Sequence, residues 1–187
     1  MQDAIPTEEG SMLAVLGSDL KVIEDVLKIN NHKCYIANDN SPQQVVLSGL
    51  KKSIDLFSED LAKLKIKNIK LNVSAPFHCK LMKTATENMR EKILNLNFKD
   101  IKIPIISNYS AKPSISNSEI KNLLVSQIEG RVRWMESVEF MINKGTNNFI
   151  EIGPGKVLSG LIRRINKNVN FKSLNSIQDI EELDLYV

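Results

Sequence analysis

The chain has 187 residues, with 25 Lys and Arg against 22 Asp and Glu, a formal net charge of +3 and 42% hydrophobic residues. This length allows one large globular domain or two small ones. The net charge is too small to indicate a nucleic-acid-binding protein by itself. No apolar run approaches the roughly 20 residues that span a bilayer. The composition therefore favours a globular protein with neither nucleic acid nor membrane as its partner.

The cysteines and the first ten residues bear on the cellular compartment. Cys34 and Cys79 form no disulfide framework and have no metal-ligand spacing. Reduced thiols in the cytoplasm are the simplest interpretation. The first residues, M-Q-D-A-I-P-T-E-E-G, carry acidic groups and no hydrophobic stretch, which excludes a signal peptide. We therefore expect a cytoplasmic protein without a bound metal.

The first part of the chain alternates between strand and helix patterns. Apolar residues at helical spacing predict helices over residues 19–29, with Ser18 or Asp19 as N-cap, and over residues 50–64. Strands are predicted over residues 11–17, 33–37, 45–48 and 66–73, with a turn at residues 38–42. The order strand, helix, strand, strand, helix, strand is the split βαβ, ferredoxin-like arrangement.

The second part, from residue 74 on, predicts longer helices and isolated strands. Strands are expected over residues 103–107, 148–152 and 169–174. The predicted helices cover residues 79–94, 117–128 (capped by Asn117 or Ser118), 134–143, 157–165 and 177–183. This alternation indicates part of a parallel α/β sheet. Three strands are few for an open sheet, so exposed edges and apolar surface are expected here.

His78, in V-S-A-P-F-H-C-K-L-M, is the first candidate for catalysis. It follows a predicted strand, and catalytic groups of open α/β sheets gather at the carboxyl ends of strands. For a lone histidine, a structural role is the more common outcome, and no pattern with His32 completes a metal site. Cys79 is adjacent, but neighbouring residues usually point in different directions, so we expect a small buried side chain rather than a nucleophile.

Two further motifs have a functional and a structural interpretation. E-I-G-P-G-K-V-L-S-G, residues 151–160, is a glycine-rich turn between a strand and a helix. It could bind an anion at the helix N-terminus, but it lacks the spacing of a P-loop, and a tight connection explains it as well. The basic pairs Arg131/Arg133 and Arg163/Arg164 fit a solvated helix face. No G-x-S-x-G nucleophile elbow occurs in the 187 residues.

Five blocks together resemble one enzyme family, the malonyl-CoA:acyl carrier protein transacylases of bacterial type II fatty acid synthesis. They are M-Q-D-A-I-P at the start, N-S-P-Q-Q-V-V-L-S-G (40–49), V-S-A-P-F-H-C-K-L-M (73–82), V-R-W-M-E-S-V (132–138) and E-I-G-P-G-K-V-L-S-G-L (151–161). The resemblance implies a ferredoxin-like small subdomain over residues 11–73. It also implies that residues 1–10 are a connector and residues 74–187 the C-terminal part of an α/β-hydrolase-like acyltransferase subdomain.

The resemblance also implies site residues. His78 matches the family's general base, and Gln127 matches the glutamine whose main-chain carbonyl orients that histidine. Phe77 and Asn40 match positions near the substrate. No cofactor is implied. The implied partners are malonyl-CoA and acyl carrier protein.

The departures from the family pattern limit what the chain can do alone. The serine elbow, the loop that helps to form the oxyanion hole and the arginine that binds the malonyl carboxylate have no counterpart in the 187 residues. The resemblance therefore implies the C-terminal portion of the enzyme, inactive alone, with an N-terminal fragment of the same enzyme as a candidate partner. A non-catalytic carrier-protein-binding module or a non-functional remnant is the alternative. Arg131 stands where relatives usually have proline, so the loop after Gln127 is expected to differ in shape.

Overall fold

The computed structural model describes residues 9–30, 32–73 and 75–183, and the fold is mixed α/β. Most of residues 1–10, predicted as a connector, therefore lies outside the described residues. The strands are β1 (Gly10–Leu16), β2 (Cys34–Ser41), β3 (Gln44–Leu50), β4 (Lys67–Lys70), β5 (Ile105–Ile106), β6 (Pro113–Ser114), β7 (Val132–Arg133), β8 (Asn148–Ile152) and β9 (Asn170–Leu174). The helices are α1 (Leu20–Asn30), α2 (Lys51–Lys63), α3 (Lys83–Leu94), α4 (Asn117–Gln127), α5 (Trp134–Asn143), α6 (Val157–Ile165) and α7 (Ile177–Glu181).

The chain divides into two compact units, Met1–Ser137 and Val138–Val187. The first unit contains a five-stranded sheet in the order β4-β1-β3-β2-β7. Strands β1 to β4 pair antiparallel, and β7 joins the edge of β2 in parallel. The predicted order of strands and helices over residues 11–73 is the order observed, while β7 is too short for periodicity to reveal.

Both faces of this sheet carry apolar side chains. One face packs under α1 and α2 in a cluster of fully or nearly fully buried residues: Leu13, Val15, Ile23, Val26, Val45, Leu47, Ile54, Phe57 and Leu61. A second cluster of Met12, Ala14, Ala37 and Val46 receives Leu71 and Phe77. Alternate residues of β1 thus enter different clusters, as the two-residue period of a strand requires. The sheet is thereby anchored to the segment that carries His78.

Several predicted boundaries were wrong. The expected turn at residues 38–42 is instead the end of β2, which continues to Ser41 and closes on Gln44 through only two residues. Arg131 and Arg133 lie before and in β7, not on a helix face. The side chain of Ser116, not of Asn117 or Ser118, caps α4 by accepting a hydrogen bond from the Glu119 amide.

The second unit has a parallel pair, β8 and β9, in register from Asn148↔Asn170 to Ile152↔Leu174. α6 contributes buried Leu161 and Ile162. The parallel prediction is confirmed for these two strands. It was wrong for the strand predicted at residues 103–107, because β5 pairs antiparallel with β6 in the first unit.

Candidate active site

A short loop fixes the backbone on both sides of His78. Pro76 packs against Gly10 so closely that a Cβ at Gly10 would lie 2.2 Å from the proline Cδ. The buried Cys79 thiol donates a hydrogen bond to the Pro76 carbonyl at 3.1 Å. His78 itself adopts φ 60°, the left-handed region that non-glycine residues seldom occupy. Such a conformation persists only where the surroundings determine it, and these contacts supply that constraint.

The half-buried imidazole of His78 is oriented by a hydrogen bond. Its Nδ1 lies 2.9 Å from the main-chain oxygen of Gln127. A carbonyl oxygen can only accept, so Nδ1 must carry the hydrogen and donate it. In the neutral ring the other nitrogen, Nε2, is then the basic one. The contact therefore selects the tautomer that a general base requires.

Gln127 offers its carbonyl because it is the last residue of α4. The final carbonyls of a helix have no partner within the helix and are free to accept from elsewhere. The Gln127 side chain turns back and donates from Nε2 to the Gly130 carbonyl at 2.7 Å. A Cβ at Gly130 itself would lie 2.3 Å from the Tyr109 ring. The turn after α4 is thus held by a side-chain bond and by close packing.

The other two predicted site residues stand in different surroundings. Phe77 is partly buried and packs against the cluster that includes Met12 and Val46 and against a third cluster that includes Met82 and Ile128. Asn40 lies on β2 at a register shift between Asp39 and Ser41. Among residues 9–30, 32–73 and 75–183, no hydrogen bond joins Asn40 to His78.

The two thiols are poorly suited to nucleophilic chemistry. Burial raises the pKa of Cys79 above its ordinary value of 9.0, despite opposing hydrogen bonds from Ser48 and Leu81. Burial likewise raises the pKa of Cys34 to about 12. A thiol attacks as its thiolate, and a raised pKa makes that form scarce at neutral pH. The expectation of a small buried side chain at Cys79 agrees with this environment.

The helix that follows the glycine-rich turn at residues 153–155 already has a carboxylate of the chain at its N-terminus. The carboxylate of Glu151 accepts hydrogen bonds from the Leu158 amide at 2.9 Å and the Ser159 amide at 2.8 Å, in the first turn of α6. It thereby satisfies helix donors that an external anion would otherwise bind. These contacts therefore favour the structural interpretation of this motif.

Sequence reasoning missed an ionic cluster close to the turn after α4. The Arg131 guanidinium lies 3.0 Å from Asp39, 3.4 Å from Glu136 and 3.6 Å from Glu24. Arg133 also pairs with Glu136, and its guanidinium holds the pKa of Glu136 below the ordinary 4.5. The spacing of Arg133 and Glu136 is readable from sequence. Nothing in the sequence links Asp39 to Arg131, because 92 positions separate them.

Metal or membrane features are not found in the described part of the chain. Within residues 9–30, 32–73 and 75–183, no group of three or more His, Cys, Asp and Glu side chains could hold a metal ion. No helix in the same ranges is long and apolar enough to cross a bilayer.

A histidine held in one tautomer by a main-chain carbonyl, within a mixed α/β fold, is an arrangement in which a general base could act. The chain belongs to the acyl transferase domain family, whose model matches residues 4–181.

The particular relatives share one activity by name. The chain is 40% identical over 185 residues to the malonyl CoA-acyl carrier protein transacylase of Bacillus subtilis (strain 168), covering 97% of this chain and 58% of that protein. It superimposes with a TM-score of 0.91 on an acyl-carrier-protein-S-malonyltransferase from Bartonella henselae, at 39% identity over 97% of this chain and 59% of that one. The predicted resemblance is confirmed, and the chain spans less than two-thirds of these relatives.

A third neighbour is a complex. The chain superimposes with a TM-score of 0.90 on a malonyl-transacylase solved in complex with its type II PKS acyl-carrier protein. The identity is 32%, over 96% of this chain and 59% of that one.

Proposed function

We propose that this chain is the C-terminal portion of an acyltransferase that moves malonyl from coenzyme A to the phosphopantetheine thiol of acyl carrier protein, in the cytoplasm. The observation that carries the proposal is the 2.9 Å contact between His78 Nδ1 and the Gln127 carbonyl. A general base must be held in one tautomer with its other nitrogen available, and this contact meets that requirement. The relatives named above support the substrate and the acceptor.

His78 would serve both halves of a ping-pong reaction. In the first half, Nε2 takes the hydroxyl proton of a serine as its oxygen attacks the malonyl thioester, and the proton passes to the departing coenzyme A thiolate. In the second half, Nε2 takes the pantetheine thiol proton as sulfur attacks the malonyl ester, and the proton returns to the serine oxygen. The Gln127 carbonyl keeps the ring oriented and stabilises the imidazolium that forms.

The serine, the oxyanion-hole donors and the arginine for the malonyl carboxylate would come from an N-terminal portion beyond the 187 residues. The 187-residue chain alone is therefore expected to be inactive, because nothing in it replaces the covalent intermediate or its stabilising donors. Exposed apolar surface on unit Val138–Val187 also supports a missing segment that would cover it. The parallel pair β8/β9 leaves Ile150 50% and Ile152 79% exposed, and Ile150, Phe171 and Leu183 line a cavity of about 210 Å³.

The proposal also assigns the parts of the chain to the subdomains of the family. Residues 11–73 would be the ferredoxin-like small subdomain, and residues 74–187 the C-terminal part of an α/β-hydrolase-like subdomain, with residues 1–10 as connector. The antiparallel order β4-β1-β3-β2, with both helices packed on one face, supports the first assignment. Phe77 and Asn40 would contribute to substrate binding, Phe77 by limiting the space beside the reacting group.

The test combines the chain with the missing portion. The N-terminal portion of the Bacillus subtilis relative that this chain does not cover, where the family pattern places the serine elbow, is co-expressed with the 187-residue chain. Malonyl transfer from radiolabelled malonyl-CoA to holo acyl carrier protein is then measured. We expect transfer only with both pieces, and its loss in His78→Ala. His32→Ala is the matched control, since His32 bonds Asp60 at 2.7 Å, on a different element from Gln127.

The outcomes separate the candidates. Stable labelling of the 187-residue chain alone by malonyl-CoA would contradict the absence of a nucleophile. Transfer that survives His78→Ala would overturn the assignment of the base. Saturable binding of acyl carrier protein by the chain alone, with no transfer in the co-expressed pair, would favour a non-catalytic binding module.

A further inference from the structure

Arg131 contacts three carboxylates of the first unit, each on a different secondary-structure element. The Arg131 cluster consists of Arg131, Asp39 on β2, Glu136 on α5 and Glu24 on α1. Asp39 is the most constrained member, with 1% of its surface exposed. A buried carboxylate is tolerated when it is paired, so the 3.0 Å contact with Arg131 Nη2 fixes where Arg131 can lie.

Only three residues, 128–130, separate Arg131 from Gln127 along the chain. Gly130, next to Arg131, accepts the Gln127 side-chain hydrogen bond at 2.7 Å. On the other side of Arg131, Val132 pairs with Asn38 in the parallel ladder. The segment 127–133 is therefore held at one end by its own glutamine and at the other by β2 and the buried Asp39.

The carbonyl that this segment positions is the one that accepts from His78. Rotation of the Gln127 peptide would move its oxygen away from Nδ1 and free the ring to exchange tautomers. We propose that Arg131, through its ion pair with Asp39, is a positioning residue that keeps the Gln127 carbonyl on His78. The catalytic consequence rests on the proposed function of His78, whereas the structural consequence does not.

The chain's two histidines provide the measurement and its internal control. His78 donates from Nδ1 to a carbonyl, whereas His32 contacts the Asp60 carboxylate through Nε2 at 2.7 Å. A carboxylate accepts from Nε2 as a carbonyl accepts from Nδ1, so the neutral forms of the two rings should carry their hydrogen on opposite nitrogens. Long-range ¹H–¹⁵N spectra of the 187-residue chain distinguish them through the ring nitrogen shifts.

Arg131→Met removes the charge and keeps an unbranched side chain. We expect its His78 ¹⁵N shifts to move from the Nδ1–H pattern toward an average of both tautomers, while His32 keeps its pattern. Asp39→Asn should move His78 in the same direction. Arg131→Lys, which retains charge without the planar fork, should restore the wild-type pattern in part. Arg90→Met, at an exposed position on α3, is the matched control and should change neither ring.

Stability and function are measured beside the tautomer. If Arg131→Met unfolds the chain, the double variant Asp39→Asn/Arg131→Met replaces it, because it removes both charges of the ion pair together. An unchanged His78 pattern in a folded variant without the Arg131–Asp39 pair would overturn the proposal and leave the pair a merely structural one.

The co-expressed enzyme separates this inference from the proposed function. Arg131→Met should lower the rate of malonyl transfer about tenfold, within the range expected for a misplaced catalytic group. If the tautomer shifts but His78→Ala retains full transfer, the positioning inference stands and the proposed function fails. If His78→Ala abolishes transfer while Arg131→Met leaves both the tautomer and the rate unchanged, the proposed function stands and the positioning inference fails.

Discussion

The two units of the chain bury their strands to very different extents. In unit Met1–Ser137, β1 places Leu13 and Val15 at 0% exposure, and apolar clusters cover both faces of its sheet. In unit Val138–Val187, β8 leaves Ile152 79% exposed. The same residue types thus form a closed core in one unit and an open apolar surface in the other.

The difference follows from how the strands pair. β1 to β4 are antiparallel, and a two-residue turn between β2 and β3 completes one pairing locally. β8 and β9 are parallel, and parallel sheets are normally covered on both faces by many residues of crossover connections. A sheet of two parallel strands cannot bury both faces with α6 and α7 alone. This is the reason to look for a complementing segment at β8 and β9.

The largest expected effect contrasts one phenylalanine from each unit. Phe57 is fully buried under the sheet, while Phe171 on β9 is 37% exposed. We expect Phe57→Ala to lower the free energy of unfolding by about 3–5 kcal/mol, from lost transfer energy and the cavity left behind. Phe171→Ala should cost about 1 kcal/mol or less in the chain alone, closer to a surface substitution. Urea unfolding followed by circular dichroism measures both.

Co-expression with the N-terminal segment sharpens this contrast. If that segment covers β9, the cost of Phe171→Ala should rise toward that of a core position, while the cost of Phe57→Ala stays the same. Equal costs for Phe171→Ala with and without the segment would mean that the exposed face of unit Val138–Val187 is not where the complement packs.

Two glycines test packing in the same way. A Cβ at Gly10 would lie 2.2 Å from the rigid ring of Pro76, whereas a Cβ at Gly160, inside α6, would meet nothing within 4 Å. Gly10→Ala should therefore destabilise the chain by about 1–3 kcal/mol. Gly160→Ala should stabilise it by about 0.5–1 kcal/mol, because alanine restricts the unfolded chain and favours helix. Opposite shifts of the thermal midpoint are the expected result. A shift of the same sign in both variants would contradict the description of these two sites.

The smallest expected effect concerns the carboxylate that caps α6. Burial alone would raise the pKa of Glu151, but hydrogen bonds from Ser159, Leu158 and Ser173 outweigh it and hold the pKa below its ordinary 4.5. Because the folded pKa is the lower one, this stabilisation is present above the unfolded pKa and lost as the pH falls through the folded pKa. Glu151→Gln keeps an acceptor oxygen but removes the negative charge at the helix N-terminus, so it should cost only about 0.3–1 kcal/mol at pH 7.

The pH profile provides the control for that variant. The difference in unfolding free energy between wild type and Glu151→Gln should shrink as the pH falls below 4.5, the ordinary value of the group. A difference that is constant from neutral to acidic pH would show that the carboxylate charge does not contribute, and that the glutamine merely packs worse.

Local signals predicted most elements of the chain. α5, β8 and α6 begin and end where periodicity and the glycines place them. β2 was predicted too short because Asn38 to Pro42 have the composition of a turn, yet pairing with β3 overrides that preference through register shifts. β5 was assigned to a parallel sheet because its actual partner, the nearby β6 (Pro113–Ser114), has only two residues and shows no strand periodicity.

The sequence by itself determined the alternation of helices and strands, the family, and the choice of His78 and Gln127 as candidate site residues. It determined these because periodicity and motifs are local and the blocks retain their order along the chain. Only the tertiary structure decided that Glu151 fills the helix terminus of the glycine-rich turn, and that Asp39 meets Arg131. It also decided that the Gln127 carbonyl meets Nδ1 of His78 in this chain, 49 positions away. These contacts depend on burial and on the direction of single polar atoms, which no local pattern encodes.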